Sequence, residues 1–246
     1  MMPIRISKTI RALLVLTLGV FIVQKVSDTF LHANLFGIFG LVPSSLAQGA
    51  VWQLITYMFL HADVGHLILN LLMLAFIGSE LESVWGPRRF LLFYFFCGAV
   101  AGLVYLVLQL LVWQANSPMV GASGGIYGLL LAYGLLFGER VLLFMMLFPM
   151  KAKHFIWILA GVEFLTGLFS GTPGAALSSV AHLGGMAGGF FYLYGRGTWL
   201  VWSRRQEARR ALRPKKPGKS HLKLVIDREK TASRSDSNDE DPRTWH

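Results

Sequence analysis

Six long apolar runs occupy most of the first 200 residues, the first two joined by a long connection and the rest by shorter breaks. They extend roughly from Ile10 to Phe30, His66 to Leu81, Phe90 to Trp113, Ala122 to Phe137, His154 to Phe169 and Val180 to Leu200. Runs of this length match the thickness of a bilayer's hydrocarbon core, where only a helix satisfies every backbone group within one segment. The pattern predicts an all-α, polytopic membrane protein with six transmembrane helices. Several runs fall short of the about 20 residues needed to cross alone, which predicts a compact bundle with helix ends buried in protein.

The first run has a basic lead (Arg5, Lys8, Arg11) like that of a signal peptide. No small-residue cleavage site follows closely and further spans come after it, so an uncleaved anchor is expected. The first connection, FLHANLFGIFGLVPSSLAQGAVWQLITYMFLHADVGH, is aromatic and leucine-rich with almost no charge. It reads as a segment lying in the membrane interface, the alternative being a seventh span. From residue 204 the composition changes to a basic stretch, RRQEARRALRPKKPGK, and then to the polar, mixed-charge TASRSDSNDEDPRTWH. Two parts are expected: a membrane domain over 1–203 and a cytoplasmic tail over 204–246 with little fixed structure.

Composition agrees with the pattern, at 54% hydrophobic and 15% charged residues. The net charge of +10 is explained by topology and does not point to nucleic acid. Arg5, Lys8 and Arg11 precede the first run, and Arg88 and Arg89 join the second to the third. Arg140, Lys151 and Lys153 join the fourth to the fifth, and the basic tail follows the sixth. The alternate connections, 31–65, 114–121 and 170–179, hold no Lys or Arg, and Lys25 alone dissents. The positive-inside rule then sets both termini in the cytoplasm and opens the site to the outer side. The lone cysteine, Cys97, sits in an apolar run, which excludes a disulfide framework and a cysteine metal site.

Candidate chemistry is sparse. Ser123 lies between glycines in GASGGIYG, at the outer end of the fourth run. That motif alone is weak, because a Gly-x-Ser-Gly match arises by chance roughly 0.2 times in such a chain. Small residues also serve close helix packing. His66 and Asn70, four apart, share one face of the second span. His182 falls at the outer end of the sixth, at the depth of Ser123, and polar groups at such positions usually face the bundle interior. The set suffices for acyl transfer. His182 is the candidate base for the Ser123 hydroxyl, while His66, Asn70 and the Ser123 backbone N–H are candidate oxyanion donors. Glu80, Glu82, Glu139 and Glu163 fall on the cytoplasmic side or in mid-bundle, and Asp63 falls in a loop. The base is therefore expected to be oriented by packing, with the Tyr127 ring one turn from Ser123, as a Ser–His dyad. Gly185 and Gly189, on the face of His182, would let the sixth span approach the fourth closely. Histidines this isolated do not cluster as metal ligands, and neither a metal nor a cofactor motif is found.

At these residues the chain closely resembles the rhomboid family of intramembrane serine proteases. The resemblance covers about residues 50–195 and rests on WQLITYMFLHADVGHLILN, GSELESVWG, GASGGIYG and AHLGGMAGG. It implies a six-helix rhomboid-like bundle with a water-filled site below the outer surface. Ser123 is implied as nucleophile and His182 as base, with His66, Asn70 and the Ser123 amide as the oxyanion hole. Tyr127 takes the part of the ring against the base, Gly121 and Gly124 flank the nucleophile, and Glu82 with Gly86 matches a structural motif. His61 matches a frequent family position and reads as structural. The Trp-Arg pair of many rhomboid first loops is replaced by Trp52-Gln53, and no seventh span is recognisable, which suggests the six-span form common in bacteria.

The function expected is hydrolysis of a peptide bond in or near a substrate's transmembrane segment. The partners are then transmembrane substrates and the lipid bilayer, in a plasma membrane of bacterial inner-membrane type. SGTPGAALSSV, rich in small residues, is expected to be a mobile cap over the site. Two other classes compete: a catalytically dead relative that binds transmembrane clients, and a small transporter, against which the lack of an internal repeat argues.

Overall fold

The structure, a computed structural model, describes residues 6–113, 116–144 and 148–211. Residues up to Val201 make one unit and those from Trp202 a second. Of the tail expected to have little fixed structure, residues 204–211 are helical and 212–246 lie outside the described residues.

Helix α1 (Lys8–Val26) starts where Ser7 accepts the Ile10 N–H at 3.1 Å, a side-chain cap that satisfies one of the orphan donors of a first turn. The Ser7 hydroxyl in turn donates to the Glu82 carboxylate. A π-turn over Ser27–Leu31 continues the helix. Lys25, the residue against the charge pattern, donates to the Ala62 carbonyl at 3.2 Å. Beside it the buried Gln24 amide donates to the His61 carbonyl at 2.8 Å and accepts its N–H.

The first connection holds three short helices, α2 (Leu35–Phe39), α3 (Pro43–Ala47) and α4 (Gln53–Thr56). None exceeds five residues, so this segment supplies no seventh span. Gln53 organises it: its side chain accepts from Val42 N–H at 3.0 Å and donates to the carbonyls of Gly37 and Ile38. The Trp52 indole donates to Ile38 at 2.9 Å. The glutamine that departs from the familiar Trp-Arg pair thus ties the loop's backbone together. Leu41 and Met119 exchange backbone bonds at 2.9 Å, pinning the loop near the start of the catalytic-candidate helix.

Helix α5 (Val64–Met73) is capped by Asp63, whose Oδ1 accepts the His66 N–H at 2.9 Å. It runs through a π-turn, Leu74–Gly78, into α6 (Ser79–Trp85). Gly86, at φ 76°, ends α6, and Pro87 opens α7 (Pro87–Leu108), where proline's fixed φ and missing N–H cost nothing. Helix α8 (Ser123–Leu136) is the central element: Gly124, Gly125, Ile126, Gly128, Leu129 and Leu130 are all buried. It packs on Tyr57, Phe93, Tyr94 and Cys97, themselves fully or nearly buried.

A short two-stranded hairpin, β1 (Val141–Phe144) and β2 (Phe148–Lys151), follows α8 as a local addition to the predominantly helical fold that the apolar pattern predicts. Pro149 cannot donate within a helix, while the apolar run supports a strand. Glu139 closes the hairpin's base on Lys151 at 2.8 Å and on Lys153; those two ammonium groups hold its carboxyl down at about 2.

Helix α9 (Ala152–Phe169) and helix α10 (Pro173–Ala211) complete the described chain. Among the described residues, four stretches are long and apolar enough to cross a membrane: Lys8–Leu31, Val64–Trp85, Pro87–Val112 and Ala152–Phe169. Ser123–Leu136 is apolar but shorter.

Candidate active site

The backbone turns sharply ahead of α8. Gly121 sits at φ 118°, open to glycine and strained for other residues, and its N–H donates to the Tyr57 carbonyl at 2.9 Å. A Cβ there would stand 2.6 Å from the His66 ring, so the imidazole of α5 lies directly on this glycine. The turn leaves Ser123 as the first residue of α8, where backbone N–H groups have no partner within the helix.

Across from it, His182 Nε2 lies 2.8 Å from Ser123 Oγ. The Tyr127 ring stacks on the His182 imidazole, centroids 4.2 Å apart and planes 7° from parallel. Three residues singled out from sequence therefore meet. The contact exists because α8 and α10 approach at backbone distance. A Cβ on Gly185 would stand 2.2 Å from the Gly124 carbonyl oxygen, and one on Gly128 3.2 Å from the Gly185 carbonyl oxygen. Gly189 serves the same approach lower down, where a Cβ would meet the Phe93 ring at 3.1 Å and the Gly128 carbonyl at 3.3 Å.

On α5, Asn70 is buried and its Nδ2 has no hydrogen-bond partner. Asn70 lies one turn from His66 on the same helix. His61 and His66 meet edge to face at 5.0 Å. His61 is wholly buried and held down to about 4, first by desolvation and then by His66 beside it. An unfolded histidine titrates near 6.5, so the folded chain binds fewer protons between about pH 4 and 6.5 and loses stability as pH falls through that window. Unfolding scans in detergent at neutral pH and at about pH 5 should show this loss, and it should shrink in His61→Gln.

Two expectations need correction. The segment SGTPGAALSSV is not an irregular connection over its length, because α10 begins at Pro173 and only residues 170–172 stand outside a helix. Proline at the start of a helix is well tolerated, and the following alanines and serines continue it. This earlier start sets His182 two and a half turns into its helix, deeper than the sequence suggested. At that depth it meets an acid. Glu163 Oε1 lies 3.3 Å from His182 Nδ1, an ion-pair approach in which Nδ1 makes no well-formed hydrogen bond, and the Tyr127 hydroxyl donates to the same oxygen. The expectation that no carboxylate stands near the base was wrong for Glu163. A signal was present: an acid inside an apolar span is a functional candidate in itself.

Residues 48–198 match the Rhomboid domain family, and the chain belongs to that family. Rhomboid-related protein 3 of Homo sapiens is 35% identical over 117 residues, 48% of this chain and 26% of that protein. Rhomboid protease GluP of Bacillus subtilis is 32% identical over 153 residues, 60% of this chain and 26% of that one. RHOMBOID-like protein 7 of Arabidopsis thaliana is 33% identical over 143 residues, 57% of this chain and 41% of that one. The chain thus spans less than half the length of each of these relatives. With its apolar helices, the family makes this a multi-pass integral membrane protein.

Proposed function

We propose that the protein is an intramembrane serine endopeptidase, cleaving a peptide bond in or near transmembrane segments of membrane-protein substrates by a Ser–His dyad. The observation that carries the reading is the 2.8 Å contact between Ser123 Oγ and His182 Nε2 at the head of a buried helix. As Ser123 Oγ attacks the scissile carbonyl carbon, His182 Nε2 takes the hydroxyl proton. It returns that proton to the leaving amine when the C–N bond breaks. Water then hydrolyses the acyl-enzyme by the same relay. The oxyanion of each tetrahedral intermediate is held by the Ser123 N–H, the idle Asn70 Nδ2 and His66.

The reading includes six crossings, both termini in the cytoplasm of a bacterial-type plasma membrane, and a site open to the outer side. The charge distribution supports that orientation. Helix α8 covers about 21 Å at 1.5 Å per residue, short of the hydrocarbon thickness. Its burial among other helices removes the need to reach lipid at both ends. A substrate helix enters sideways between α5 and α9, unwinding locally so that its carbonyl is free. Helix α9 suits a gate, since Trp157 and Phe169 are 76% and 78% exposed.

A serine-directed fluorophosphonate should label the wild-type protein at Ser123 and leave Ser123→Ala unlabelled. A client-binding relative without catalysis, or a transporter, would show no labelling, and that result together with no cleavage of transmembrane substrates overturns the reading. Asn70→Ala should retain the label but lose about 10²-fold in kcat for a model transmembrane substrate, the usual cost of one oxyanion donor.

A further inference from the structure

We infer that Glu163 is a positioning residue for the base: its carboxylate orients His182 with a proton on Nδ1 and leaves Nε2 free to accept from Ser123. This inference rests on the proteolytic reading above and adds a member to the same site.

Geometry supports it first. The two nitrogens of the imidazole are bracketed, Nε2 by Ser123 Oγ at 2.8 Å and Nδ1 by Glu163 Oε1 at 3.3 Å. Tyr127 closes the arrangement, because its ring lies on the imidazole while its hydroxyl donates to Oε1 of the same glutamate. The tyrosine thereby fixes both the plane of the base and the acid at the edge of that plane.

The second support is the cost of having the acid there. Glu163 sits within HFIWILAGVEFLTGLF, and its side chain is only 12% exposed. A carboxylate in such a place is costly unless it is paired. Among the described residues no Lys or Arg pairs with it, and its partners are Tyr127 and His182, with Ser179 in range. A carboxylate needed only for packing α9 would be served as well by an apolar side chain.

The third support is chemical. When Oγ bonds to the carbonyl carbon, its proton moves to Nε2 and the imidazole becomes a cation carrying protons on both nitrogens. The Nδ1–H then stands at ion-pair distance from the Glu163 oxygen, and the imidazolium charge draws the two into the hydrogen bond that the resting geometry does not complete, the proton staying on the imidazole. The glutamate therefore acts on the transition state more than on substrate binding, which predicts an effect on kcat and little on KM.

The test uses the full chain in bicelles with ¹⁵N-labelled histidine, the His182 signals being identified by their loss in His182→Gln. Wild-type neutral His182 should carry its proton on Nδ1, and a proton predominantly on Nε2 overturns the inference. That spectrum reads the base whether or not a substrate is cleaved, so a failure of the proteolytic reading shows separately, as inert protein with the expected tautomer. In Glu163→Gln the Nδ1–H population should fall and kcat should drop about 10²-fold or more with KM nearly constant. Glu163→Asp, which keeps the charge, should recover part of the kcat. Wild-type tautomer and kcat in Glu163→Gln overturn the inference; if that variant does not fold, wild-type kcat in Tyr127→Phe, which releases the carboxylate from its clamp, does so.

Discussion

Replacing Ser123 by alanine is expected to abolish cleavage of a transmembrane substrate, with kcat down about 10⁶-fold, the scale on which serine hydrolases lose activity when the nucleophile is removed. His182→Ala should cost a similar factor, and the double variant little more than either alone, because the two side chains act on one proton and one bond. The fold should survive. Ser123 stands at the first residue of α8, and its hydroxyl meets His182 Nε2. Alanine keeps the helix start and leaves the turn at Gly121 untouched. Reconstitution in proteoliposomes with a labelled substrate measures the cleavage, and an unfolding transition close to wild type shows that chemistry alone was lost. Substantial cleavage by Ser123→Ala would remove the serine from the mechanism.

What was legible in the chain follows from which physical terms act locally. The helices at Lys8–Val26, Pro87–Leu108, Ser123–Leu136 and Ala152–Phe169 coincide with apolar runs, because hydrocarbon demands a helix wherever the run is long. The meeting of Ser123, His182 and Tyr127 was foreseeable once equal depth and small-residue spacing were combined. Helix starts written in small polar residues were harder. Pro173 to Ser179 carries only a short apolar signal, Ala175 to Leu177, between proline, glycine and serines, so the apolar pattern starts the sixth helix at Val180 and sets His182 too shallow. Glu163 escapes for the same reason, since an acid six residues from the end of α9 looks mid-bundle only against a shallow histidine. The hairpin at Val141–Lys151 escaped for another reason. Its apolar run is as compatible with a helix as with a strand, and the pairing of Glu139 with Lys151 and Lys153 that closes it is not local in sequence.

Gly185→Ala is expected to damage both the fold and the reaction, although it adds one methyl group far from any charge. A Cβ at Gly185 would lie 2.2 Å from the Gly124 carbonyl oxygen, 3.0 Å from its carbonyl carbon and 3.3 Å from its Cα. All three are backbone atoms and cannot rotate away, so α10 and α8 must separate by roughly 1 Å to restore ordinary contact. Gly124 follows the nucleophile directly, and Gly185 lies one turn beyond the base. The separation is therefore imposed on the 2.8 Å contact between Ser123 and His182 itself. Misplacement of reacting groups by about 1 Å costs on the order of 10²-fold in rate, and overpacking of a tight core about 1–3 kcal/mol in stability. Both should appear together, as a kcat lowered about 10²-fold and a lowered Tm in detergent. Gly161→Ala on α9 is the matched control: nothing lies within 4 Å of a Cβ there, and activity should be unchanged. Wild-type kcat in Gly185→Ala would mean that the dyad does not depend on the close approach of α8 and α10. If both variants lose activity alike, the cause is the loss of glycine rather than the crowding at Gly124.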